Sequence, residues 1–453
     1  MKKHRFLSVF LLLSIVTTLF LTPSAAALED FDLAARAGLL VEAETGEVLF
    51  EKNAHAEMYP ASITKVMTAL LVFEAVERGE LSLSDEITAD ASAFVGLAAD
   101  GSSAGIKAGE ILTVEQLLQC MLIVSANEAC NILAQAVCPE GGIEAFVARM
   151  NERAAQLGCE NTHFANTNGL HNSQHYTSAW DIYLIACEAL KHEKFLEICN
   201  SKSAEIPETN IGKRRELHST NYLISNWRAL GYIYREAQGI KTGHTPESGY
   251  CLLSSATRGS RQLISVVLGA EMVTLANNKT QVQSFSETSR LFDYGFDNFS
   301  LREILRPGEL GGEVPVALSS EMDYVVVETA GGLTRMLPND LDMTLLTRES
   351  ILPESVDAPI AAGDKLGEMI VSYDGTVYGT VDLLALTDVS ASWLLTAKRD
   401  ALEFLDRMGA KIAIALVILL VVLFIIFRGF RPSSRRYGKR RRQVRTSSYR
   451  GRR

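Results

Sequence analysis

The sequence predicts an α+β domain, with one antiparallel sheet and helices packed on it, followed by a small all-β domain and a C-terminal transmembrane helix. Three observations lead there. Strand-like apolar runs at Ala37 to Phe50 and Gly249 to Ala270 flank a stretch of helical periodicity. After about Phe299 the texture changes to short β-like runs between Gly, Pro and Asp turns. Met408 to Phe427 is an apolar run of 20 residues broken only by Lys411, the length a helix needs to span a bilayer.

In chain order, Lys2, Lys3 and Arg5 precede the apolar run Phe6 to Leu21, and Ala25-Ala26-Ala27 is an A-x-A cleavage site. Residues 1–27 therefore read as a secretory signal peptide. The α+β domain is expected over 28–299. Ala37 to Glu42 and Glu47 to Phe50 read as strands joined through Glu44-Thr45-Gly46. Pro60 opens a helix to about Arg78, because Pro is pre-set for the first helical position and Val66, Ala69, Leu70 and Phe73 recur at helical spacing. Further helices are expected from Val114 to Val124, from Glu128 to Val137, and from Tyr176 to Leu190 with Ser178 as N-cap. Gly249 to Ala256 and Leu263 to Ala270 read as strands joined by Arg258-Gly259-Ser260.

A β-rich domain is expected over 300–390, with runs at Val314 to Val316, Tyr324 to Glu328, Met369 to Ser372 and Gly379 to Leu384. A connecting helix (391–408) leads into the span (409–427). The remainder, 428–453, carries 12 Arg and Lys and no acid. Such a tail is expected to stay cytoplasmic, which places the body outside the cell.

The formal charge of -10 hides an asymmetry. Apart from the first 27 and last 26 residues, 29 basic residues face all 54 acidic ones, a net charge of −25. A body this acidic excludes nucleic acid as a partner held by a general basic surface. The seven cysteines show neither C-x-x-C nor zinc spacing, so buried free thiols are expected. His171 and His175 flank a polar loop and are expected at the surface rather than as a metal pair. No phosphate-binding glycine motif is present, so no cofactor and no metal are expected.

Three short motifs carry the chemistry: Ser62-Ile63-Thr64-Lys65, Ser125-Ala126-Asn127 and Lys241-Thr242-Gly243. Three apart on a helix, Ser62 and Lys65 share one face, so the amine can reach the hydroxyl. Lysine has a free pKa near 10.4, and base work near neutral pH requires that value to fall by about three, roughly 4 kcal/mol. Burial and a second cation, Lys241, push that way. Ser125 and Asn127 supply a proton relay and an amide for Lys65 or the substrate backbone. Ser219-Thr220-Asn221 also matches S-x-N, but the helical flanks of Ser125 favour the first match. Lys241 and Thr242 suit a substrate carboxylate, and Gly243 lets a substrate backbone lie against the strand. The set describes a serine acyl-transferase with lysine as base.

With Tyr59 to Thr68, Leu117 to Asn127 and Gly239 to Thr245 all matching, the chain resembles the serine D-alanyl-D-alanine carboxypeptidases, the low-molecular-weight penicillin-binding proteins. The resemblance implies a penicillin-binding, β-lactamase-like transpeptidase fold. It also implies that Ser62 attacks the carbonyl between the last two D-alanines of a peptidoglycan stem pentapeptide. Lys65 would be the base, Ser125 and Asn127 would serve proton transfer and placement, and Lys241 and Thr242 would hold the terminal carboxylate. The Ser62 and His244 N–H groups would hold the oxyanion, and β-lactams would acylate Ser62. Two departures stand out: Ala126 replaces a frequent Gly, and Asn221-Tyr222-Leu223-Ile224 replaces a more basic pattern. A class A β-lactamase would need S-D-N and a glutamate for deacylation. A non-catalytic β-lactam or wall sensor would be expected to carry a large cytoplasmic domain. Neither feature is found.

Overall fold

The computed structural model describes residues 31–98 and 100–429. The expected signal peptide, and the basic tail from residue 430 on, lie outside the described residues. The chain divides into two units. One runs to Glu303 and takes in Thr334–Met343; the other comprises Ile304–Leu333 and the chain from Thr344 on.

The first unit is built on a five-stranded antiparallel sheet. Its strands, numbered within the sheet, are β1 (Ala37–Glu42), β2 (Val48–Lys52), β3 (Ala237–Thr245), β4 (Gly249–Arg258) and β5 (Arg261–Ala270), in spatial order β2-β1-β5-β4-β3. All six residues of β1 are buried, because helices cover both faces. Leu39 and Val41 join one core cluster and Leu40 the other. Strand β3, which carries Lys241-Thr242-Gly243, lies at the sheet's edge.

The first face packs α1 (Lys65–Glu77), α2 (Val114–Ile123), α3 (Asn127–Val137), α4 (Gly142–Gln156), α5 (Ala179–Ala189) and α6 (Glu193–Cys199); the second packs α7 (Gln283–Asn298). Helix α1 is apolar all round and ten of its residues are buried, as a helix at the centre of a core must be. Thr113 and Gln116 form a capping box that starts α2. Ser178 caps α5 by accepting from the Asp181 N–H, as expected. The helix itself begins at Ala179, three residues after the expected Tyr176, because the Tyr176 and Thr177 backbones bond across to His163 and Met58. Helices α4, α6 and α7 had not been expected. The turn before α1 (Ala61–Thr64) is 3-10 rather than α, and Ala61 has φ 47.

The second unit holds a six-stranded sheet in the order Thr347–Ile351, Lys365–Tyr373, Thr376–Ala385, Tyr324–Thr329, Leu310–Ala317, Val356–Asp357. All four expected β-like runs lie in these strands. Val325, Val327 and Thr329 alternate inward along one of them, the pattern of a sheet with one covered face. The chain then forms α8 (Trp393–Gly429), a single helix of 37 residues where a connecting helix and a separate span were expected. Its most apolar window has a mean hydropathy of 3.2 with none of it buried, so length and composition suffice to cross a membrane. All seven thiols are free.

Candidate active site

The three motifs meet at one end of a cleft whose cavity is about 360 Å³, lined among others by Ser62, Ser125, Asn127, Thr242, Gly243 and His244. Ser62 sits in the 3-10 turn, and Lys65 opens α1. Ser125 occupies the tight link between α2 and α3 with φ 68, and Asn127 is the first residue of α3. Left-handed backbone at non-glycine residues costs of order 1–3 kcal/mol, and here it occurs at Ala61 and Ser125, beside two of the motif hydroxyls.

Lys65 Nζ lies 2.9 Å from Ser62 Oγ, 2.8 Å from Asn127 Oδ1 and 2.7 Å from the Asn168 carbonyl oxygen. Both the amide oxygen and the carbonyl can only accept. When protonated, the amine can donate to all three oxygens; when neutral, it can give its two N–H groups to Asn127 and Asn168 and turn its lone pair to the Ser62 hydroxyl. Lys65 is 0% exposed. Burial pushes its pKa down, while Cys130 and Glu128 pull it up.

Lys241, also fully buried, donates to Ser125 Oγ at 3.0 Å and to the Thr242 carbonyl at 3.0 Å. Burial, then the nearby Lys65 charge, lowers its pKa to about 7. Two ammonium groups this close cannot both hold protons easily, and the pair titrates together.

Gly243 lies against the turn that carries Ser62. A Cβ there would stand 2.9 Å from the Pro60 oxygen and 3.1 Å from the Ser62 nitrogen, so any side chain would push the edge strand away from Ser62. His244 follows it, stacked on Tyr250 at 4.1 Å between ring centroids, with its pKa lowered by burial.

The polar loop after Asn168-Gly169 is a correction to the sequence reading. His175 is not at the surface but buried. Its Nδ1 accepts from the Ala165 N–H at 3.0 Å, which leaves the proton on Nε2, 2.7 Å from Thr64 Oγ1. Thr64 in turn donates to the Ala61 carbonyl at 2.8 Å. Burial drives the His175 pKa to about 3, so it is a neutral strut beneath the Ser62 turn. Gly169 has φ 87, and a Cβ there would fall on the Ala61 carbonyl. Sequence reasoning missed the Asn168 carbonyl, because a backbone acceptor leaves no residue-type signal. The glycine beside it is the one trace that could have been followed.

Comparison with known proteins fits this geometry. The D-alanyl-D-alanine carboxypeptidase family model matches residues 22–272, and the model for the penicillin-binding protein 5 C-terminal domain matches 299–391. The chain belongs to the D-alanyl-D-alanine carboxypeptidase family of penicillin-binding proteins and is a serine-type hydrolase of that class. Among its relatives is the D-alanyl-D-alanine carboxypeptidase DacF of Bacillus subtilis, 31% identical over 85% of this chain and 95% of that one. Another is DacC of Escherichia coli, 31% identical over 78% of this chain and 84% of that one. Penicillin binding protein 5 from Haemophilus influenzae has a similar structure, with TM-score 0.64 and 25% identity over 80% of this chain and 99% of that one.

Proposed function

We propose that the chain removes the terminal D-alanine from peptidoglycan stem pentapeptides through an acyl-enzyme on Ser62. The observation that carries this is the buried Lys65 amine, 2.9 Å from Ser62 Oγ and held there by the Asn127 and Asn168 oxygens. Lys65 takes the Ser62 proton as the oxygen attacks the scissile carbonyl. The N–H groups of Ser62 and His244 receive the oxyanion. Ser125 relays a proton toward the leaving amine, Asn127 places the substrate backbone, and Lys241 with Thr242 attracts the terminal carboxylate. D-Alanine leaves, and water then hydrolyses the ester. An extended substrate can lie along the free edge of β3, where Gly243 keeps the backbone close. β-Lactams enter as substrate mimics and acylate Ser62. Helix α8 anchors the protein in the bacterial membrane, with the catalytic part outside and the basic tail in the cytoplasm. The product, a tetrapeptide stem, limits cross-linking and so matures the wall.

The test uses the full-length chain in detergent with diacetyl-L-Lys-D-Ala-D-Ala, an assay for free D-alanine and a Ser62→Ala control. Release that disappears in the control supports the reading. Absence of release while Ser62 still takes fluorescent penicillin would turn it toward a sensor, and rapid turnover of a chromogenic β-lactam toward a β-lactamase.

A further inference from the structure

The second S-x-N match, Ser219-Thr220-Asn221, lies in the same cleft. Thr220 lines the cavity, and its Oγ1 is 2.7 Å from Thr242 Oγ1. The segment is fixed from three sides. The Ser219 N–H donates to the Lys202 carbonyl at 3.0 Å, and the Thr220 N–H to the Ile123 carbonyl at 3.2 Å, at the end of α2. Asn221 Nδ2 donates to the Gly239 carbonyl on β3 at 2.7 Å, and the Asn221 N–H donates to Ser219 Oγ at 3.1 Å. Ser219 and Asn221 are buried and Thr220 is half-buried, so only the threonine side chain is left to meet a ligand.

Charge in the cleft sharpens the question. Among the described residues lining the cavity there is no arginine or lysine, and the one carboxylate is Asp100. Lys241 lies beneath, engaged with Ser125 and its own strand. It supplies positive potential, but no cationic side chain reaches into the cleft to grip a carboxylate. What the cleft offers at that place is two neighbouring hydroxyls. In the empty pair one proton lies between the oxygens. When an anion arrives, each hydroxyl can turn its proton outward, one to each carboxylate oxygen.

We infer that Thr220 and Thr242 together form a two-hydroxyl cradle for the terminal carboxylate of the substrate, so that Thr220 is a substrate-binding residue. The inference rests on the carboxypeptidase reading and adds the residue that sets its requirement for a free carboxyl terminus.

The experiment compares diacetyl-L-Lys-D-Ala-D-Ala with its C-terminal carboxamide, using full-length wild type, Thr220→Val and Thr220→Ser, with product followed by mass spectrometry. Thr220→Val should lose roughly ten- to thirtyfold in kcat/KM on the acid, as for a hydrogen bond to a charged group. It should change little on the amide, and Thr220→Ser should keep most of the acid activity. Equal losses on both peptides, or none on the acid, would overturn the proposal. A wild type that releases no D-alanine counts against the carboxypeptidase reading instead. Fluorescent penicillin and its methyl ester then decide for Thr220: slower labelling by the acid alone in Thr220→Val supports the cradle, and equal labelling overturns it. If neither release nor labelling occurs in folded wild type, both readings fall.

Discussion

The centre of the catalytic unit and the C-terminal helix break the usual burial rule in opposite directions. At the first, two lysines are withdrawn from water, Lys65 0% and Lys241 1% exposed. At the second, apolar side chains stand uncovered along Ile412 to Phe427, with Leu419 53% and Phe427 82% exposed. Helix α1 and the Ile412 to Phe427 stretch of α8 are both apolar on every side. Helix α1 finds its apolar surroundings within the fold; the apolar stretch of α8 stands uncovered and is long and apolar enough to cross a bilayer. A buried charge and an exposed apolar surface are the informative exceptions to ordinary burial. Here one falls among the three motifs and the other along the apolar stretch of α8.

The largest effect should come from removing the uncovered helix. Between Ile412 and Phe427 there are 14 Leu, Ile, Val and Phe residues. At roughly 0.3 to 0.6 kcal/mol each they favour insertion by about 4 to 8 kcal/mol. A chain ending at Ser392 should move from the salt-washed membrane fraction to the soluble fraction. Its retention on membranes would show that something else anchors the protein.

The two helices can also be separated by a matched pair of truncations. Leu70→Ala, in the middle of α1 where the side chain is wholly buried, should cost about 2–5 kcal/mol in denaturant unfolding. Leu419→Ala, on the uncovered helix, should leave that transition within about 0.5 kcal/mol. Equal costs would mean that α8 packs on the folded body and that the contrast is false.

The smallest effect concerns the lysine pair. In the proposed mechanism, acylation needs Lys65 neutral and Lys241 charged. As pH rises, loss of the first proton from the pair should raise the rate by up to about tenfold per pH unit, and loss of the second should lower it. Burial moves both groups down, Lys241 to about 7, so this bell lies far below the pH at which ordinary lysines titrate. In Lys241→Arg the guanidinium keeps its charge, and the falling limb of the fluorescent-penicillin labelling rate should vanish. A falling limb that persists would assign it to another group.

Much of this site is legible in sequence because its chemistry is local. Ser62 and Lys65 are three residues apart, Ser125 and Asn127 two, and Lys241 to Gly243 are contiguous, so residue type and spacing carry the signal. The central strands and α1, α2, α3 and α5 are legible for the same reason, since their apolar patterns are strong. What remained hidden depends on contacts between distant segments. The Asn168 carbonyl reaches Lys65 across 103 residues. His175 is polar in sequence, yet it packs under Thr64 with a fixed tautomer. The hydroxyl pair of Thr220 and Thr242 exists only because β3 returns beside the end of α2. Helix α7 was missed because its apolar residues form one narrow stripe among polar ones, and it is the sheet's second face that gives the stripe its purpose.

The absence of a break in α8 has a mechanical consequence. Residues 393–407 precede the fully apolar stretch, and at about 1.5 Å of rise each they form a rod of roughly 22 Å. With the apolar half in a bilayer, a stiff rod fixes the height at which the folded body begins, where a coil of equal length would let it wander. The protein would then work at a set altitude above the membrane, and changing the number of turns in that rod would change which layer of the wall it can reach.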